Sequence, residues 1–167
     1  MAGFAGALRN FFTLPGLRVL QNYHPLIVHF PIALLIASAF TYLWAWIARR
    51  ESLQWTALWM LTLGTLAAAL AVWTGLGAGV GVMVAPAVRE HILEPHRRVM
   101  LTVFAGSVAL AGWALAARPM PRRGRILFLA GLLVMAALIV KGADLGAWMV
   151  YGYNAGGALP QPIEFSQ

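Results

Sequence analysis

The sequence predicts an all-α integral membrane protein, folded as a single four-helix bundle. Hydrophobic residues make up 61% of the 167 residues and charged residues only 10%, and the mean hydropathy is +0.77. A soluble domain carries roughly a quarter charged residues, whereas a disordered chain combines low hydrophobicity with high charge. The composition excludes both of these classes and favours a chain whose surface faces lipid.

The distribution of charge predicts four membrane spans. Long segments without Asp, Glu, Lys or Arg alternate with short clusters of arginine. A helix needs about 20 apolar residues to cross a bilayer, and four segments have that length. The predicted spans are residues 26–48, 55–84, 98–117 and 126–150. Together they form one transmembrane domain over residues 23–153.

The two ends of the chain differ from the spans. Residues 1–22 contain Phe and Leu interrupted by Pro15 and Gly16, which predicts a short helix lying at the membrane interface. Residues 154–167 contain Gly and Pro and predict an irregular extramembrane tail.

The arginines predict the orientation in the membrane. Six arginines flank the loops after the first and third spans, namely Arg49, Arg50, Arg118, Arg122, Arg123 and Arg125. Five belong to the other side, namely Arg9, Arg18, Arg89, Arg97 and Arg98. Short cytoplasmic loops are enriched in Lys and Arg, which places both termini in the periplasm of a bacterial inner membrane. The net charge of +7 thus indicates topology and not nucleic-acid binding.

All four histidines lie in two similar segments. His24 and His29 begin the first span, while His91 and His96 precede the third, and each His-x4-His segment contains a proline. Two parallel helix pairs, related by an axis along the membrane normal, would produce this repeat. By helix rise, His29 and His96 both lie about 30 Å from the arginine loops. The histidines are therefore predicted to share one level at the outer face.

Imidazoles from two helices at one level are typical of a haem site. Haem iron accepts axial histidine nitrogens, and helix bundles hold cofactors between their helices. We predict one b-type haem on His29 and His96. Side chains five residues apart on a helix point about 140° away from each other, so His24 and His91 either bind a second haem or surround the first.

Three outer arginines fit the same hypothesis. Arg89, Arg97 and Arg98 are expected in the loop at this level, where a guanidinium can bind haem propionates. The absence of cysteine excludes thiolate ligands and covalent c-type attachment. Two alternatives stay open, since the histidines could bind copper or zinc or could be interfacial polar residues without a ligand.

A second constellation lies in the fourth span. Lys141 lies about 24 Å beyond Arg125 along the helix, and Asp144 follows it at i+3. Ionisable residues within a membrane are costly unless paired and often mark a functional site. The two residues form either an ion pair facing the bundle or a site for a quinone head group or a proton.

Two motifs resemble a known family. The opening HPLIVHFP at residues 24–31 and the closing KGADLG at 141–146, followed by Tyr151-Gly152, resemble an uncharacterised domain-of-unknown-function family of small four-span bacterial membrane proteins. The resemblance covers residues 23–153. Some members are fused to Rieske or c-type cytochrome modules, which implies a place in respiratory chains.

These observations predict a subunit that passes electrons between quinone and an extracytoplasmic redox partner, such as cytochrome c or a Rieske protein, within a respiratory complex. The alternative is a cofactor-free structural membrane subunit that anchors a multi-subunit complex. The sequence contains no recognisable nucleophile–base pair or nucleotide-binding loop, so any activity is expected to belong to the assembly.

Overall fold

A computed structural model describes residues 22–155, which form four long helices. The helices are α1 His24–Ile47, α2 Glu51–Gly81, α3 Pro86–Ala117 and α4 Arg125–Gly152. Each is long and apolar enough to cross a membrane, and the described residues contain no strand. The prediction of an all-α, four-span protein is confirmed. The predicted interfacial helix lies outside the described residues, as does nearly all of the predicted tail.

The helices contact one another in the cyclic order α1, α2, α3, α4 and back to α1. Because successive helices are antiparallel, α1 and α3 run in the same direction and lie diagonally opposite each other. We call the end that carries the loops 48–50 and 118–124 the arginine end. The opposite end, where α1 and α3 begin and residues 82–85 connect α2 to α3, is the histidine end.

The third helix is longer than predicted. It begins at Pro86 and not at residue 98, so the expected loop around Arg89, Arg97 and Arg98 is helical and that prediction is wrong. Pro86 occupies a first-turn position, where its missing N–H is tolerated. A π-helical turn, Arg89–Leu93, precedes the segment with Pro95 in its first turn. The charges interrupt the apolar pattern but not the helix.

The first helix has a local irregularity near its start. Val28 lies between the helical segments His24–Ile27 and His29–Ile47 but keeps helical dihedral angles, with φ −60° and ψ −24°. Its N–H still donates to the carbonyl of His24 at 3.1 Å. Pro31 has no N–H to donate to the carbonyl of Ile27, so one helical hydrogen bond is missing at this point.

The main core lies between the middle of the bundle and the arginine end. Tyr42 and Phe128 are fully buried, with perpendicular rings whose centroids are 5.1 Å apart. Trp113 packs edge-on against Phe128 at 5.8 Å. The Tyr42 hydroxyl donates a 2.9 Å hydrogen bond to the carbonyl of Pro119, so the loop between α3 and α4 is fastened to α1.

The histidine end has a separate, smaller core. Its buried side chains are Val88, Ile92, Leu145 and Met149. The last turn of α4, Trp148–Gly152, is π-helical like the turn in α3 that packs nearby. Little apolar packing therefore surrounds the four histidines.

Candidate functional site

His24 is attached to α2 through a hydroxyl group. Its Nδ1 lies 3.2 Å from Thr74 Oγ1. The Thr74 hydroxyl lies 3.0 Å from the carbonyl of Leu70 and 3.1 Å from that of Ala71, and it donates to these oxygens. Oγ1 can accept from Nδ1–H of His24, or its hydroxyl can turn to donate to Nδ1, and in either sense the contact joins the imidazole to α2.

His96 is fixed to α4 through a backbone carbonyl. Its Nδ1 lies 2.8 Å from the carbonyl oxygen of Gly142. Because a carbonyl can only accept, His96 donates through Nδ1–H, and in the neutral imidazole Nε2 keeps a lone pair. Metal-bound histidines almost always donate their second ring N–H to a carbonyl, carboxylate or water in this way. The neutral His96 imidazole therefore has the electronic arrangement of a ligand.

Glycines make the room that these two rings occupy. A Cβ atom on Gly75 would lie 2.7 Å from Cε1 of His24, and one on Gly146 would lie 3.3 Å from Cε1 of His96. By contrast, a Cβ on Gly77 would meet no atom within 4 Å. Glycines alternate along the end of α2 at Gly75, Gly77, Gly79 and Gly81, and of these four only Gly75 is required by contact with an imidazole.

The two rings belong to diagonally opposite helices and are both half-buried. His24 lies against α2 and His96 lies against α4. The starts of α1 and α3 thus place one half-buried imidazole each at the same end of the bundle. This juxtaposition is the candidate site.

The other two histidines lie elsewhere. His29 and His91 are exposed. His29 lines a shallow surface cavity of about 330 Å³ together with Phe30, Ala33 and Leu34, all from its own helix. Each predicted pair, His29 with His96 and His24 with His91, joins an exposed histidine to a half-buried one. The two half-buried histidines are His24 and His96, because depth along a helix fixes the level of a side chain but not its direction.

The difference in burial does not follow the sequence repeat. In the repeat His24 corresponds to His91 and His29 corresponds to His96. The two half-buried histidines are the first of one segment and the second of the other. The repeat therefore locates the site without identifying its members.

The outer arginines have different partners. Arg89 donates to the carbonyl oxygens of Gly79 and Val82 at 3.3 and 3.0 Å, which satisfies the end of α2. Arg97 forms a 3.2 Å ion pair with Glu94, whereas Arg98 is exposed. The capping role of Arg89 was not predicted.

Lys141 and Asp144 pair with each other on the outer surface of α4. The Nζ–Oδ2 distance is 3.0 Å, and the side chains are 60% and 64% exposed. The ion pair thus forms, but it does not face the bundle interior as one alternative required. Residue 142, whose carbonyl binds His96, lies between them in sequence on the other face of the helix.

Sequence reasoning missed Thr74 and the Gly142 carbonyl as partners of the imidazoles. The position of Thr74 beside Gly75 was the available signal. Within residues 22–155, no three side chains of His, Cys, Asp or Glu converge to hold a metal ion. The protein donors at the candidate site are two imidazoles.

Four helices, each long and apolar enough to cross a membrane, define a small polytopic membrane protein. The chain belongs to the family described as Predicted membrane protein (DUF2231), which matches residues 21–158. The resemblance predicted from the opening and closing motifs is thus confirmed. Neither a curated protein nor a solved structure matches the chain.

Proposed function

We propose that the protein is a membrane subunit that binds b-type haem through His24 and His96. The observation that supports the proposal is that Nδ1 of each half-buried ring contacts a neighbouring helix, at Thr74 and at Gly142, which leaves Nε2 as the nitrogen that would bind iron. A porphyrin supplies four nitrogen ligands, so two imidazoles complete the coordination of the iron. The donor set therefore fits haem better than a bare copper or zinc ion, which usually takes three or four protein ligands.

The glycines support the same proposal. Gly75 and Gly146 let each imidazole lie directly against the backbone of a neighbouring helix. Such support restrains the rotation of the two rings, which would hold the haem iron. In our proposal Arg98, which is exposed at this end, and Arg97 bind the propionates.

Haem held by two imidazoles carries one electron at a time. The proposed role is to pass electrons between quinone and an extracytoplasmic redox partner in a respiratory complex. The Lys141–Asp144 pair supports the quinone part, because its exposed position on α4 is open to molecules dissolved in the membrane. In the proposal Asp144 accepts a proton released by a quinol, and α4 joins this residue to the Gly142 carbonyl that orients His96.

The proposed orientation places the histidine end in the periplasm. Six arginines surround the arginine end, whereas the described part of the histidine end carries Arg89, Arg97 and Arg98. This asymmetry supports a cytoplasmic arginine end in a bacterial inner membrane. A reporter enzyme that works only in the periplasm is expected to be active when it is fused after residue 155.

The direct test measures haem bound to the purified full chain. The pyridine haemochrome assay on protein produced with added haem precursor is expected to give a b-type spectrum and about one haem per chain. His24→Ala and His96→Ala are expected to lose the haem, while the matched controls His29→Ala and His91→Ala keep it. A well-folded wild-type chain without haem would overturn the proposal.

A second candidate function is a cofactor-free structural subunit. It is favoured by the same hydrogen bonds, because His24 ties α1 to α2 and His96 ties α3 to α4, and such polar contacts can stabilise helix pairs in a membrane. Asparagine separates the two roles, since its amide N–H replaces Nδ1–H but it has no counterpart of Nε2. If His24→Asn with His96→Asn preserves both complex assembly and electron flow, the structural role is the correct one.

A further inference from the structure

A second possible binding site lies at the arginine end, on the outer surface between α2 and α3. It is a cavity of about 210 Å³. Its lining residues are Trp55, Leu58, Trp59, Thr62, Leu115 and Arg118. No part of the histidine site contributes to it.

The cavity is formed by one face of each helix. The four residues from α2 follow the spacing i, i+3, i+4 and i+7, which places them on one face. By helix rise this face extends from about 6 Å to about 16 Å beyond the start of α2. Leu115 and Arg118 come from the last turn of α3 and the residue that follows it. The cavity therefore reaches from the membrane interface into the apolar region.

The side chains that line the cavity change in character from the membrane interface to the apolar region. Trp55 and Trp59 are 41% and 63% exposed, and tryptophan is enriched at the level of the lipid head groups. Leu58 and Leu115 give the cavity an apolar wall. A flexible hydrocarbon chain can lie along such a wall beside the indole rings.

Arg118 supplies the one cationic group in the lining. Among residues 22–155, ion pairs are formed by Arg97 with Glu94 and by Lys141 with Asp144, so Arg118 has no carboxylate partner there. The surrounding loops add positive charge, with Glu51 as the acidic residue adjoining them. A guanidinium matches a phosphate through two parallel hydrogen bonds.

We propose that this cavity binds an anionic phospholipid, with the phosphate on Arg118 and one acyl chain between the two tryptophans and Leu115. Basic pockets between membrane helices bind lipid head groups in this way. Charge complementarity selects the ligand, because a zwitterionic lipid of the same chain length would fill the apolar wall but would not neutralise the arginines. The proposal is independent of haem binding.

The test counts lipids bound to the full chain by native mass spectrometry after transfer from nanodiscs. Nanodiscs contain phosphatidylglycerol and phosphatidylcholine in equal amounts, with identical acyl chains. We expect one phosphatidylglycerol to be retained by the wild type and its retention to fall at least about tenfold in Arg118→Gln, the loss of one charge-assisted bidentate contact. Arg123→Gln is the matched control, since Arg123 is exposed in the same loop but does not line the cavity.

Trp59→Ala tests the apolar half of the site and should weaken retention while Arg118 remains in place. Equal retention of both lipids, or equal retention by wild type and Arg118→Gln, would overturn the proposal. A dimer that Trp59→Ala dissociates would show that a second copy of the chain fills the cavity, which also overturns it. The unfolding midpoint of each variant in a denaturing detergent identifies a variant that fails to fold. If Arg118→Gln fails to fold, Arg118→Lys replaces it. Arg118→Lys is expected to retain phosphatidylglycerol more weakly than the wild type, because lysine carries a point charge.

Discussion

The two ends of the bundle are built differently. At the arginine end, Tyr42 and Phe128 are fully buried, and a loop carbonyl at Pro119 is bound by the tyrosine hydroxyl. At the histidine end a small core lies between π-helical turns, and the side chains of His24 and His96 are only half-buried. The comparison indicates that the arginine end carries more of the packing that stabilises the bundle, whereas the histidine end leaves polar side chains partly exposed.

Physical reasons support this division. A close-packed aromatic cluster resists change because each lost contact leaves a cavity. A π-helical turn has poorer internal hydrogen bonding and is frequently found at functional sites. Four substitutions test whether stability and binding are separated in this way.

The largest expected effect is that of Phe128→Ala. Removing the buried ring should lower the free energy of unfolding by about 3 kcal/mol, the low end of the range for aromatic residues. The low end applies because Phe128 of an unfolded chain would still lie in lipid and would not be exposed to water. Denaturing-detergent titration measures the change, with exposed Leu127→Ala as control. Haem content of the folded fraction should stay at the wild-type level. A parallel loss of haem would contradict the separation of the two ends.

Gly75→Leu is expected to weaken haem binding and to leave the free energy of unfolding largely unchanged. Its Cβ would lie 2.7 Å from the His24 ring, so the imidazole must move away from Thr74. The affinity for haem should fall at least about tenfold, which corresponds to about 1.4 kcal/mol of binding free energy. Gly77→Leu, which meets no atom within 4 Å, is the control and should retain haem. Full occupancy in Gly75→Leu would show that His24 is not a ligand.

Tyr42→Phe should have a smaller effect on the arginine end. It leaves the buried carbonyl of Pro119 without its donor, at a cost of about 1 kcal/mol. The same detergent titration measures this change, and exposed Tyr151→Phe should leave the midpoint unchanged. An unaltered midpoint in Tyr42→Phe would mean that the loop is held by apolar contacts alone.

Gly146→Ala is expected to have the smallest effect. Its Cβ would lie 3.3 Å from Cε1 of His96, a contact that a few tenths of an ångström of movement relieves. Haem content should stay within about twofold of the wild type, with a small shift of the α band because the axial ring is displaced. An α band identical to that of the wild type would indicate that His96 is not in contact with the iron.

The sequence predicted the number of helices and the level of the site with good accuracy. Spans are visible because hydropathy and charge are local properties, and the clustering of all four histidines in two segments located the histidine end. The same reasoning placed the start of α3 too late, since Glu90, Glu94 and Arg97 interrupt an apolar pattern without ending a helix.

Partners in the site were harder to predict. The positions of His24 and His29 gave their separation along α1, but the packing of α1 against α2 decided that His24 contacts Thr74 whereas His29 is exposed. Likewise, the spacing of Lys141 and Asp144 predicted that they could pair, but the rotation of α4 decided that they lie on its outer surface.

The sequence alone thus determined that the chain is a four-span helical bundle with its histidines at one end, because apolar length and charge act on each segment independently of the rest. Tertiary packing decided which imidazoles are half-buried against a neighbouring helix, which arginine caps a helix and which carboxylate faces outward. Those outcomes depend on how each helix is rotated about its own axis, and contacts with neighbouring helices set that rotation.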